Sequence, residues 1–193
     1  MDLPREDLSA GPKEYAQAVA AALSGVEGEV IVVGHSMGGV TIPNVAALRP
    51  VSRLVYLCAL VPLSGKSWDE SRLPDPMVGK EFEAAIERLP GGRSVTRREV
   101  VGSLYQDSSP ELGAAAWDRC GPQAYGITQR ASLDFPPTPA SYVLTLRDRA
   151  LLPEWQGRTA REQLGVEPIE LDSDHSPFLA RPSELAELLL SLA

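Results

Sequence analysis

The sequence predicts a three-layer α/β/α domain with a short, mostly parallel sheet and an inserted helical cap. Three observations carry that expectation. Apolar, β-branched runs recur at 29–33 (EVIVV), 52–60 (SRLVYLCAL), 141–146 (SYVLTL) and 165–171 (GVEPIEL). The first three lack the strict polar alternation of a sheet wetted on one face, as strands buried on both faces do. Helical spacing appears between them, the pattern of crossover-connected parallel strands. A segment of different character, 64–139, then interrupts the alternation. A chain of 193 residues suits one domain, 1–193, with that segment as an inserted subdomain.

Each element has a local reason. In PKEYAQAVAAALS (12–24), Tyr15, Ala16, Val19, Ala20 and Leu23 fall on one side at helical spacing, and Pro12 suits a first turn. After the run at 29–33, MGGVTIPNVAALRP reads as a helix that Pro43 should kink, because proline lacks a backbone donor. Between Ser64 and Pro139, glycine, proline and charge punctuate short helical patterns (GKEFEAAIERL, RREVVGSLYQD, PELGAAAWDRCG), and no strand is expected. PPTP at 136–139 is a stiff connector back to the main body. RPSELAELLLSL (181–192) is a last amphipathic helix, capped by Ser183 or the turn before it.

Composition removes several classes of function. Twenty-six acidic residues face 18 basic ones, a net charge of -8, which repels phosphate backbones and anionic membranes. No nucleic-acid or membrane partner is therefore expected. There is no apolar run of about 18 residues to span a bilayer. MDLPREDLSAG lacks the basic and apolar regions of a secretory signal, so a cytoplasmic location is the default expectation. Cys58 and Cys120 form neither a zinc spacing nor CxxC; Cys58 reads as a small core residue and Cys120 as incidental. GHSMGG has no G-x-G-x-x-G spacing, and neither a metal nor a cofactor is expected.

The stretch VVGHSMGGV (32–40) carries the chemistry. A serine hydroxyl is a weak nucleophile at neutral pH and needs a base within hydrogen-bond reach. Ser36 sits between a β-branched strand and a helix, boxed by Gly34 and Gly38, which is the context that gives G-x-S-x-G its meaning. There are two histidines. His35 adjoins the serine and should point away from it in a structural role. His175, in LDSDHSPFL after the last strand, is the expected base. The residue that orients it is Asp148, directly after the third strand, in preference to Asp172 and Asp174, which are too near in sequence, or Asp134, which no strand places. Ser36, Asp148 and His175 then follow the order Ser…Asp…His.

On these residues the chain resembles the α/β-hydrolase superfamily, in the branch of plant methyl esterases, hydroxynitrile lyases and bacterial relatives. GHSMGGVTIPNVAALRPVSRLVYLCALVPLSG is similar to the nucleophile region, LTLRDRALLPEWQ to the acid segment and DSDHSPFLARPSELAELLL to the histidine segment. The resemblance implies hydrolysis of small to medium apolar or aromatic carboxylic esters through an acyl-enzyme, with the Met37 N–H as an oxyanion donor. Trp68, Phe82, Leu104, Tyr105, Trp117 and Tyr125 are candidate pocket residues, with ordinary packing the plainer explanation for any one of them. Ser176 stands where cyanohydrin-cleaving members carry a lysine, which argues against lyase activity.

The family begins with a strand and a His-Gly loop that supplies a second oxyanion donor, and no such loop precedes His35. One missing donor costs about 10²- to 10³-fold in rate. Without the first strands, VIVV becomes a sheet edge open to pairing, so self-association is a further expectation. The rival reading is a non-catalytic module that binds or self-associates.

Overall fold

A computed structural model describes residues 2–193. Four parallel strands form the main sheet, in the order β1 (Ile31–His35), β2 (Arg53–Leu57), β6 (Ala140–Thr145) and β7 (Ile169–Leu171). Ile31 pairs with Arg53, Leu54 with Ala140 and Val143 with Ile169. The order moves steadily away from β1, so right-handed crossovers place the connecting helices on one face. Those helices are α2 (Ile42–Ala46) and α8 (Pro153–Gln163), joined there by α1 (Pro12–Ala22). Ala16, Ile42, Val45 and Ala160 pack on Val32, Leu54, Tyr56, Tyr142 and Leu144. The alternate strand residues, Val55, Leu57 and Val143, meet Leu185 from α10 (Pro182–Ser191) on the opposite face. Both faces are thus buried, as apolar strands require. Among the described residues β1 pairs with β2 on one side only.

Between β2 and β6 the chain makes α3 (Trp68–Ser71), α4 (Lys80–Ala84), β3 (Ile86–Leu89), β4 (Arg93–Thr96), α5 (Val101–Leu104), α6 (Pro110–Trp117), β5 (Gln123–Ala124) and α7 (Gly126–Gln129). β3, β4 and β5 form a three-stranded antiparallel sheet, which corrects the expectation of a helical block without strands. GKEFEAAIERL starts as a helix and ends as a strand. Gly91 and Gly92, at φ 79 and 81, turn the chain back after Pro90, so the Gly-Gly pair was the available hairpin signal. The N-terminal segment runs alongside, the Arg5 carbonyl accepting from the Ala124 N–H at 2.7 Å.

Pro43 does not kink a helix; it lies in the first turn of α2, after a separate 3₁₀ turn over Ser36–Val40. There its missing N–H has no intrahelical partner to lose. The last amphipathic helix is α10, within the expected 181–192; it starts from Arg181, in the turn before it, rather than from Ser183, and a separate short helix, α9 (Pro177–Ala180), precedes it. Among the described residues no helix is long and apolar enough to cross a membrane.

The turn after β1 is closely packed. A Cβ on Gly34 would lie 2.8 Å from the Gly38 carbonyl oxygen, and one on Gly39 would collide with the Leu60 carbonyl oxygen. Gly39→Ala is accordingly expected to lower the unfolding free energy by roughly 1 to 3 kcal/mol, since backbone must move to admit the methyl group. Urea denaturation of the variant, giving a lower midpoint at unchanged slope, checks this; an unchanged midpoint would show the contact is relaxed.

Candidate active site

Each chemically notable side chain follows the carboxyl end of a main-sheet strand, the edge at which open α/β sheets place their ligands. Ser36 comes directly after β1, Cys58 after β2, Asp148 three residues beyond β6, and His175 four beyond β7. Ser36 and Cys58 have φ values of 52 and 37, in the left-handed region that costs a non-glycine residue of order 1 to 3 kcal/mol. Surrounding contacts hold this strain. The Leu60 N–H donates to the Ser36 carbonyl at 3.0 Å. The buried Tyr142 hydroxyl accepts from the Ala59 N–H at 3.0 Å and donates to the Ala59 carbonyl at 2.9 Å.

Asp148 and His175 meet. Nδ1 of His175 lies 2.7 Å from Oδ2 of Asp148, with both side chains buried. Asp148 is fixed from several sides. Its Oδ1 accepts from the N–H groups of Ala150 (2.8 Å) and Leu151 (2.9 Å), and its Oδ2 from the Thr145 hydroxyl (3.0 Å) and Gln156 Nε2 (2.9 Å). Gln156, wholly buried on α8, also donates to the Leu151 carbonyl and accepts from the Thr145 N–H. Sequence reasoning missed Thr145 and Gln156; a glutamine at helical spacing inside an otherwise buried helix face was the only signal. Burial opposes a positive charge on His175. Cys58 and the Asp148 carboxylate, with its hydrogen bond, outweigh that and raise the imidazole above its ordinary value.

His35, expected to point away from Ser36 in a structural role, holds backbone at the site. It lines the same cavity as Ser36, its ring centroid lies 4.7 Å from that of His175, and its Nε2 is 2.7 Å from the His175 carbonyl oxygen. That carbonyl can only accept, so His35 carries its proton on Nε2. Cys58 is a buried core residue, as expected, and donates Sγ–H to the same oxygen at 3.3 Å. Nitrogen and sulfur atoms of His35, Cys58 and His175 lie within 4.8 Å of one another, but two of the three residues are engaged with this carbonyl.

Burial, then the nearby His175, lowers the His35 pKa from 6.5 to about 3, against the opposing pull of the carbonyl bond. A histidine whose folded pKa is depressed gives stability that is full above its unfolded pKa and is lost as pH falls toward the folded one. The protein should lose stability as pH drops from about 6.5 toward 4.5, before most carboxylates titrate. His35→Gln keeps a donor for the carbonyl without a titrating ring and should flatten that decline. Thermal melts across this range decide: equal slopes in both proteins would contradict the assignment.

Ser36, His35 and His175 line a cavity of about 390 Å³ whose other walls are largely apolar. Of the expected pocket residues, Phe82, Leu104 and Tyr105 are there, together with Ile86, Val95 and Phe178, which sequence reasoning did not single out. Three expected residues are elsewhere. Trp68 is core, packed with Tyr15, Val40, Ile127 and Trp155. Trp117 donates its indole N–H to the Thr96 carbonyl at 3.2 Å and lines a separate recess. Tyr125 faces a neighbouring cavity. The unforeseen β3–β4 hairpin explains the exchange, because it supplies Ile86 and Val95 where tryptophans were expected. Met37 borders both the Ser36 cavity and its neighbour, and Cys120 lines the former with its Sγ 3.8 Å from the Tyr105 hydroxyl.

A strained serine after a parallel strand, an Asp–His pair at two further strand ends and an insert over that edge define an α/β-hydrolase. The sequence profile of the alpha/beta hydrolase family matches residues 2–188, and the chain belongs to that family. Within it the chain is similar to methylesterase 17 of Arabidopsis thaliana, 28% identical over 183 residues that cover 86% of this chain and 66% of that protein. It is also similar to the pyrethroid hydrolase of Sphingobium wenxiniae, 26% identical over 200 residues covering 94% and 69% of the two chains. The crystal structure of a pyrethroid hydrolase from Sphingobium faniae superposes with a TM-score of 0.78 at 21% identity, over 95% of this chain and 78% of that one. The chain spans about half to two thirds of the length of the plant methylesterases it matches.

Proposed function

We propose that the protein is a serine hydrolase for small to medium apolar or aromatic carboxylic esters. The observation that carries the reading is the buried 2.7 Å Asp148–His175 contact beside a cavity that Ser36 also lines. Of the names of its relatives, methylesterase denotes ester cleavage and pyrethroid hydrolase denotes hydrolysis. Ser36 Oγ attacks the acyl carbon while His175 Nε2 takes its proton. Asp148 holds Nδ1–H and favours the imidazolium. The Met37 N–H stabilises the tetrahedral oxyanion, and collapse expels the alcohol, which takes the proton back from His175. Water then attacks the acyl-enzyme by the same route and releases the acid. The test is turnover of p-nitrophenyl esters of increasing acyl length by the purified chain. Hydrolysis that saturates and prefers apolar acyl groups supports the reading; a folded protein no faster than buffer overturns it.

A second reading, a non-catalytic module that self-associates, is favoured by one observation: among the described residues β1 has a partner on one side only. Sedimentation of the inactive protein as a dimer would support it, and a monomer would count against it.

A further inference from the structure

Asp174, adjacent to His175 in sequence, is wholly buried and makes no use of the imidazole. Its Oδ1 accepts from the Ser176 N–H at 2.9 Å, an Asx turn that spans the base residue. Its Oδ2 reaches out of the loop and accepts from the Asp107 N–H at 2.9 Å. Asp107 answers in kind: its own Oδ2 accepts from the Asp174 N–H, also at 2.9 Å. The pair is thus held by two backbone N–H donors, with a positive charge beside it. Arg147, next to Asp148 in sequence, supplies the charge, at 3.0 Å from Asp107 Oδ2 and 2.8 Å from Asp172 Oδ1. Gln106 Nε2 donates to the Arg147 carbonyl at 2.6 Å, and the Arg147 N–H donates to the Ser173 carbonyl at 3.0 Å.

The network therefore joins three segments that must agree in position: the insert at 106–107, the turn bearing Asp148 and the loop bearing His175. Asp107 lies just beyond Leu104 and Tyr105, which line the Ser36 cavity. A loop needing only a local Asx turn would be served by Oδ1 alone. The reciprocal bond across to the insert has no such local purpose.

We propose that Asp107 and Asp174, cross-bonded through each other's backbone N–H and anchored by the Arg147 ion pairs to Asp107 and Asp172, are positioning residues that fix the His175 loop against the pocket wall formed by the insert. Neither touches the reacting atoms. Their kinetic consequence rests on the hydrolase reading above, whereas their hold on His175 does not.

Asp174→Asn puts an amide where two N–H groups need acceptors, and Asp107→Asn, at the more exposed end, weakens the Arg147 pair. With p-nitrophenyl butyrate each variant should lose about 10- to 100-fold in kcat, because a small misplacement of the base is costly. KM should stay within about twofold, since substrate contacts are untouched. A second readout is independent of turnover. With two histidines in the chain, labelled-histidine NMR resolves His175 from His35, and His35→Gln assigns the signals. The His175 Nδ1–H resonance should broaden or move in both variants and stay close to the parent's in Arg147→Lys, which keeps the charge beside an intact Asp pair. An unchanged resonance and kcat in folded Asp107→Asn protein would overturn the proposal, as would lower thermal stability with an unchanged resonance. Should the parent chain hydrolyse no ester, the hydrolase reading fails while the resonance comparison still decides this one.

Discussion

Replacement of Ser36 by alanine is expected to lower ester turnover by roughly 10⁴- to 10⁶-fold, to the level left by binding and the oxyanion donor alone. The size follows from the division of labour at the site. His175 and Asp148 remain paired without the serine hydroxyl, since their 2.7 Å contact does not involve it. What disappears is the hydroxyl proposed to form the acyl-enzyme. The fold should not suffer: alanine relieves no strain at φ 52 and adds little, so denaturation midpoints should match closely. A variant that retains a tenth of the activity would move the nucleophile elsewhere. Steady-state hydrolysis of p-nitrophenyl butyrate, with unfolding curves on the same preparations, provides the comparison.

Asp148→Asn should cost about 10⁴-fold in kcat at neutral pH while leaving the cavity intact. An asparagine can accept from the Ala150 and Leu151 N–H groups through its oxygen, but it then directs an NH₂ at His175 Nδ1, at Thr145 and at Gln156, where acceptors are needed. The imidazole is left in the wrong tautomer, with Nδ1 as acceptor and the proton on Nε2, unable to take one from Ser36. The pH profile separates this from simple unfolding. In the parent protein His175 is raised, burial opposing its charge while Cys58 and the Asp148 carboxylate support it. A base must be neutral to act, so activity should rise with pH along a limb displaced above the ordinary value near 6.5. In the variant that limb should shift to lower pH, because the supporting carboxylate is gone and burial remains. A limb at the same pH in both proteins would show that Asp148 does not govern His175.

The meeting of Asp148 with His175 was legible because apolar runs show where strands end. A parallel sheet brings those ends to one edge, and residues just beyond β6 and β7 must be neighbours there. The same logic places Ser36 after β1. Contacts that bind the site from outside the strand ends were not legible. His35 was expected in a structural role, but its bond to the His175 carbonyl was not foreseen. Asp174 was weighed only as a partner for the imidazole, and its reach to Asp107, 67 residues distant, leaves no trace in local pattern. The insert misled most. Its strands are four residues or fewer and carry charges and serine on a half-wet surface, so their periodicity is weak, and only Gly91-Gly92 marked the hairpin. The tryptophans expected in the pocket were placed by residue type, whereas the hairpin decided which side chains reach it.

The most direct test of a Ser36 nucleophile activated by His175 and Asp148 is labelling of the intact, purified chain with a fluorophosphonate probe, read by mass spectrometry. The account predicts one adduct per chain, located on Ser36 and absent from Ser36→Ala protein. A folded chain that stays unlabelled at saturating probe, or labelling that persists in the alanine variant, would contradict it.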